Sequence, residues 1–352
     1  MLERIASRNR KPPAAGPMPR RARMHACVRT AGFAVGLLSI AIPALPGNPG
    51  RAHAAPPETA SAATAPAGFA SLVGSPSVDR VAADDTLLDI AERHRLGFER
   101  VARLNPTLDP WIPQVGARVR LPTYHILPDA RHEGLVVNLP ELQLYDYGVD
   151  REAPAVLALA IGDELDPSLI GRYRVGNKRA NPVWNVPASI RAERPELPAQ
   201  VPPGPDNPLG PFWLTIGQTS YGIHGTNNRW SIGREATHGC LRLYNDVVEA
   251  LFERTRTGTP IEIVYQTVKL GLQDGIVYVE AHPDRYRRDP DRFERAEAAL
   301  AQHGLVDDET RAWLRRVIEQ ASGEPVAIAV LPDEASTAGS APAQPIISRP
   351  SS

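Results

Sequence analysis

Between Gly134 and Thr267 the chain repeats one local pattern: a short stretch rich in Val, Ile, Leu and Tyr, closed by Gly, Pro or Asp. "LVVNL", "LQLYDY", "AVLALAIG", "RYRV", "FWLTIG" and "PIEIVY" all follow it. Such stretches suit a pleated, half-buried surface and are short for helices. Several in succession bury their faces against one another, as a sandwich or barrel. One helix interrupts them. Asn245 is its expected N-cap, Asp246 suits its positive end, Val247, Val248, Leu251 and Phe252 share a face, and Gly258 ends it. From Asn181 to Pro211 the chain is too rich in proline for a ladder. A stretch this long is expected to be a lid or binding loop, or a plain surface excursion.

Smaller units flank this β region. Thr86 is placed to N-cap a helix with Asp89 as capping-box partner, Leu88, Ile90 and Ala91 give it an apolar face, and Gly97 closes it. A second short helix, Phe98 to Leu104, ends at Asn105-Pro106. With "SVDRVA" before and "ARVRLP" after, residues 78–123 read as a βααβ unit. After Val268 come a strand pair, two charged helices (290–303 and 307–321) and the strand "PVAIAVL". This mixed α/β extension, 268–331, is expected to pack on the β domain and carries no recognisable chemistry of its own.

The N-terminus reads as an address. Arg20, Arg21, Arg23 and Arg29 precede the apolar run Ala31 to Leu45, and "AHA" at Ala52–Ala54 offers a small-x-small cleavage site. The apolar core is shorter than the ~20 residues of a membrane span, so residues 1–54 are read as a signal peptide rather than an anchor. Residues 55–77 are read as a flexible linker and 332–352 as a disordered tail. A net charge of −1 gives no global field for nucleic acid, and none is expected as a partner. Export removes Cys27 and leaves Cys240 alone. A single cysteine in an oxidising compartment is either a buried bystander or a reactive thiol.

Cys240 lies in "IHGTNNRWSIGREATHGCLRL", behind His224 and His238. The thiolate is the attacking form of cysteine, so acyl transfer needs a histidine to take the thiol proton and return it to a leaving amine. It also needs backbone N–H groups aimed at the developing oxyanion, and a glycine beside the cysteine lets the chain turn and expose them. Either histidine can serve as base on spacing alone. A zinc site from His224, His238 and Cys240 lacks a fourth ligand with suitable spacing, so no metal is expected.

"IHGTN…THGCLRL", with "VVNLPELQLY", "NPVWNVPASI", "VPPGPDNPLGPFWL" and "GIHGT" upstream, resembles the L,D-transpeptidases, the YkuD domain family. "Ser168-Leu-Ile-Gly171" stands where that family usually reads Thr-Pro-x-Gly. The resemblance implies a mainly β fold, with a YkuD-type β-sandwich catalytic domain at 132–267. It implies Cys240 as nucleophile and His224 as general acid/base. Thr237, His238 and Gly239 would shape the oxyanion site. Arg242 would contact the substrate's peptide stem or its carboxylates, and Tyr221, Asn245 and Trp184 are further pocket candidates. The implied substrates are peptidoglycan stem peptides and glycan strands. The acyl acceptor is left open among another stem peptide, an outer-membrane lipoprotein lysine and water. A non-catalytic wall-binding protein is the alternative of another class. No cofactor is implied. Papain-like and NlpC/P60 peptidases place cysteine before histidine, the reverse of this chain. Residues 78–123, with "DDTLLDIA", "LNP" and "GARVRLP", resemble a LysM module, a binder of N-acetylglucosamine-containing glycans, although Asp84 stands where that signature has Gly. A glycan binder and a spacer of that shape both fit.

Overall fold

The computed structural model describes residues 68–150 and 152–331 of the 352-residue chain. The expected signal peptide, most of the expected linker and the expected tail lie outside the described residues. The end of the linker does not behave as expected: Leu72–Gly74 form a strand, β1. Phe69 is buried in the core of the C-terminal extension, and Ala70 exchanges backbone hydrogen bonds with Leu270 and Leu272. The apolar run "FASLV" is masked by its Ala- and Pro-rich surroundings, and its burial favours the ordered state.

The βααβ unit forms as read, from β2 (Ser77–Arg80), α1 (Leu87–Arg93), α2 (Phe98–Leu104) and β3 (Arg118–Leu121), with β2 and β3 antiparallel. Leu87, Leu88, Ile90, Val101 and Val119 fill its core. The Thr86–Asp89 capping box is complete, with the Asp89 amide donating to Thr86 Oγ1 at 3.1 Å and the Thr86 amide to Asp89 Oδ2 at 3.0 Å. Asp84 has φ 64, the left-handed region that glycine enters without strain, which accounts for Gly at that place in the signature. Gly97 does not close α1. That helix ends at His94, and Gly97 is the N-cap of α2. Packing sets its size: a Cβ on Gly97 would lie 2.9 Å from Gly233 Cα.

β4 (Tyr124–Ile126) pairs with β1, and the β domain follows. Its elements are β5 (Leu135–Asn138), β6 (Gln143–Asp146), β7 (Ala155–Ala158), β8 (Ile161–Gly162), β9 (Gly171–Ala180), β10 (Trp184–Asn185), α3 (Ala188–Glu193) and β11 (Gln200–Val201). Then come β12 (Phe212–Ile216), β13 (Gly222–His224), β14 (Glu235–Thr237), β15 (Leu241–Arg242), α4 (Asn245–Arg254) and β16 (Pro260–Val264). One eight-stranded sheet runs β15-β13-β12-β9-β16-β5-β6-β7. Its long strand β9 is shared: Gly171–Arg174 pair with β16, and Val175–Ala180 with β12. Leu135, Leu144, Val175, Leu214, Ile223, Leu241 and Ile261 form the core, with Val248 and Leu251 of α4 packed against them. "AVLALAIG" is two strands rather than one, because Ile161 and Gly162 leave the large sheet and pair in parallel with β14. The proline-dense segment holds only the short pair β10–β11 and α3, a helix with no buried residue.

Asn245 is not the N-cap of α4. Tyr244 takes that place without a side-chain cap, while Asn245 Oδ1 accepts from the Thr226 amide at 2.8 Å. The extension comprises β17 (Val268–Gln273), β18 (Ile276–Ala281), α5 (Arg292–Ala301), α6 (Asp308–Gln320) and β19 (Val326–Val330). Its sheet runs β17-β18-β19, and Leu300, Leu314, Val317 and Ile318 of the two helices bury against it.

The three units meet at a buried polar cluster. Lys269 Nζ lies 2.5 Å from Glu141 Oε1 and 3.0 Å from Glu280 Oε2. Arg100 of α2 donates to the Gly323 carbonyl at 2.7 Å and faces Glu280 at 3.5 Å. His125 accepts from Arg100 at 3.2 Å, and His282 lies 3.0 Å from Glu280 Oε1. The two carboxylates balance the two cations. Burial, joined by the Arg100 charge, holds His125 down at about 4, and burial lowers His282 as well.

Candidate active site

β13 sits between β12 and β15, and its register assembles the site. His224 of β13 lies opposite Arg242 of β15 and opposite Trp213 of β12. Directly opposed residues share a face of the sheet, so the three side chains are neighbours. Cys240 immediately precedes β15, two residues before Arg242, and its thiol lies close to the Gly222 backbone amide at the start of β13.

The His224 ring is buried. Its Nδ1 lies 2.7 Å from the Gly225 carbonyl oxygen, and Trp213 stacks on it with centroids 5.4 Å apart and planes 18° from parallel. The indole also covers Gly222, where a Cβ would lie 2.4 Å from the Trp213 ring. Burial, with the Arg242 charge added, holds His224 down at about 3, against smaller upward pulls from the Gly225 and Leu209 backbone. Burial likewise pushes the Cys240 thiol up, and the Gly222 hydrogen bond and Arg242 charge only partly offset it. Thiol and imidazole are both neutral at rest.

The turn carrying Cys240 is held on several sides. Thr237 is buried and its Oγ1 donates to the Cys240 carbonyl at 2.6 Å. Gly239 has φ 92, and a Cβ on it would lie 2.5 Å from the Tyr221 ring, so both backbone conformation and space require glycine. Tyr221 thus walls the turn. Arg242 is half-buried, burial lowers its guanidinium pKa, and among the described residues its Nε has no hydrogen-bond partner. A partly desolvated guanidinium that no described carboxylate pairs is a ready receptor for one.

The other expected residues sit elsewhere. His238 is exposed, with Nε2 3.3 Å from Glu193 Oε2 at the end of α3, so the proline-dense segment touches the turn through this pair. Asn245 braces Gly225 and Thr226 from behind. Trp184 belongs to β10, paired with Val201 within the proline-dense segment. Sequence reasoning missed Trp213. Counting the β12–β13 hairpin register back from its turn would have placed it against His224. Among the described residues the one cluster with metal-ligand geometry is His125, Glu141 and Glu280, and Lys269 already fills it with a cation.

The YkuD family model, an L,D-transpeptidase catalytic domain, matches residues 132–263. Over 234 residues the chain is 37% identical to "Probable L,D-transpeptidase YbiS" of Escherichia coli K12, covering 64% of this chain and 76% of that protein. Over 273 residues it is 34% identical to "Probable L,D-transpeptidase ErfK/SrfK" of Salmonella typhimurium, covering 73% and 87%. A solved L,D-transpeptidase from Mycobacterium tuberculosis H37Rv is 13% identical, covers 58% of this chain and 97% of that one, and superposes with a TM-score of 0.30.

Proposed function

The chain belongs to the L,D-transpeptidase family built on the YkuD catalytic domain, and on that premise we propose that it is an exported, periplasmic peptidoglycan L,D-transpeptidase with Cys240 as nucleophile and His224 as general acid/base. The observation carrying this reading is the register that sets His224 and Arg242 side by side, next to Cys240.

Cys240 Sγ attacks the carbonyl carbon of the third, diamino-acid residue of a tetrapeptide stem. As the S–C bond forms, the thiol proton passes to His224 Nε2, the ring nitrogen not engaged by the Gly225 carbonyl. The tetrahedral oxyanion is received by backbone N–H groups of the Gly239–Cys240 turn. The C–N bond to the terminal D-Ala breaks, and its amine leaves with the proton from His224. An amine then attacks the thioester, gives its proton to His224, and expels the Cys240 thiol with a new amide bond in place. Arg242 binds a carboxylate of the stem peptide, and the proline-dense segment, tied to His238 through Glu193, covers the donor. The βααβ unit holds glycan strands. Both neutral resting groups favour this sequence, in which the proton moves only as the bond forms.

The acceptor is the open chemical choice. Purified enzyme incubated with a disaccharide-tetrapeptide, with and without a second stem amine, is expected to give a cross-linked product only when the amine is present. A product that is always the hydrolysed tripeptide would make it a carboxypeptidase.

A further inference from the structure

The C-terminal extension reaches the back of the nucleophile turn. Tyr286 lies between β18 and α5 and is buried. Its hydroxyl donates to the Gly162 carbonyl at 2.7 Å and accepts from the Ser168 amide at 3.3 Å. Ser168 Oγ accepts in turn from the Gly162 amide at 2.8 Å. Gly162 is therefore held at both its polar groups. The Ser168 turn, where the sequence departs from the family pattern, is one anchor, and Tyr286 is the other.

Gly162 presses on the turn that presents Cys240. A Cβ on Gly162 would lie 2.9 Å from Gly239 Cα. Gly162 is also the register partner of Thr237, and the Asp163 amide donates to the Thr237 carbonyl at 3.1 Å. The same segment of the extension grips β14 from its other end, with Arg285 Nη1 2.6 Å from Glu235 Oε1. Tyr286 has little freedom of its own. Its ring stacks on Tyr265 with centroids 5.5 Å apart, its amide donates to the Tyr265 hydroxyl oxygen at 2.6 Å, and that hydroxyl donates to Asp284 at 2.7 Å.

We propose that Tyr286 is a positioning residue for acyl transfer: through Gly162 it holds the Gly239–Cys240 backbone in the orientation that receives the developing oxyanion. This rests on Cys240 being the nucleophile. Oxyanion stabilisation depends on donors fixed in place before the reaction, and a shift of about 1 Å can cost ~10²-fold. None of the contacts found for the Tyr286 hydroxyl reaches the thiol, so ionisation of Cys240 does not depend on it.

Two rates separate the effects. Acylation of Cys240 by a carbapenem passes through a tetrahedral oxyanion, whereas alkylation by iodoacetamide does not. Tyr286→Phe keeps the ring stack and removes the hydroxyl. It is expected to slow carbapenem acylation about tenfold, while the pH profile of alkylation overlays that of the wild type. Ser168→Ala, which frees the Gly162 amide, should give the same signature. Leu314→Ala truncates the extension's core far from Gly162 and should lower the melting temperature with both rates kept. Tyr286→Phe with wild-type acylation, or with both rates falling together, overturns the role. If Tyr286→Phe does not fold, Ser168→Ala decides on the same readings. A wild type that forms no carbapenem adduct at Cys240 overturns the nucleophile itself, and this role with it.

Discussion

His224 Nδ1 lies 2.7 Å from the Gly225 carbonyl oxygen. A carbonyl only accepts, so Nδ1 carries the proton of the neutral ring and Nε2 holds the lone pair. With His224 held at about 3 and the Cys240 thiol pushed up, the resting site contains a thiol and an imidazole rather than an ion pair. Alkylation of Cys240 by iodoacetamide is thus expected to titrate above the ordinary thiol value of ~8.5. His224→Ala should leave that midpoint nearly in place while acyl transfer falls ~10²–10⁴-fold. His238→Ala, which removes only an exposed contact to Glu193, should disturb both less. A wild-type midpoint far below the thiol range, abolished by His224→Ala, would show a resting thiolate–imidazolium pair instead.

The βααβ unit is docked, not tethered. Gly97 packs against Gly233, the Phe98 amide donates to the Ile232 carbonyl at 3.4 Å, and Tyr244 donates to the Leu96 carbonyl at 3.0 Å. Arg100 enters the cluster around Glu280. Excising 78–123 is therefore expected to unfold the remainder rather than leave a free catalytic domain. The milder variant Arg100→Met should cost on the order of 3 kcal/mol, because it removes one partner from a buried ionic network. Calorimetry checks this: one cooperative transition, shifted down in the variant. Two independent transitions, with the upper one untouched by Arg100→Met, would contradict it.

Acid should destabilise the fold early. A histidine titrates near 6.5 when unfolded, but near 3 for His224 and near 4 for His125 in the folded chain. Below about 6.5 the unfolded state binds more protons, so stability falls as pH drops, and these groups stop contributing only near their folded values. Each buried histidine adds a slope of up to ~1.4 kcal/mol per pH unit. Melting temperature should decline from pH 6.5 toward 4, and His125→Gln should flatten that decline, since burial lowers this histidine from 6.5 to about 4. A melting temperature that is flat across that window would contradict the buried neutral state.

The strands, α4 and the two short helices were legible because their apolar periods are local. The resemblance named Cys240 and His224 from two separate signature segments, and the pairing of β13 with β15 brings those segments together. What the sequence concealed depends on register or on contacts between distant segments. Trp213 reads as an ordinary strand residue until the β12–β13 hairpin sets it against His224. Lys269, Glu141 and Glu280 look like surface charges until three units close over them. Asn245 has the chemistry of an N-cap, yet Thr226 claims its side chain. Gly97 has the chemistry of a helix stop, yet close packing with Gly233 explains it better. Tyr286 lies 124 residues from the glycine it holds, beyond the reach of any local pattern.

The most direct test of the whole account is the intact mass of the enzyme after brief incubation with a disaccharide-tetrapeptide, for the wild type and for Cys240→Ala. The expected result is an adduct on Cys240 equal to the donor less D-Ala, removed when an amine is added, with neither adduct nor free D-Ala from the variant. Release of D-Ala by Cys240→Ala, or an adduct on any other residue, would contradict it.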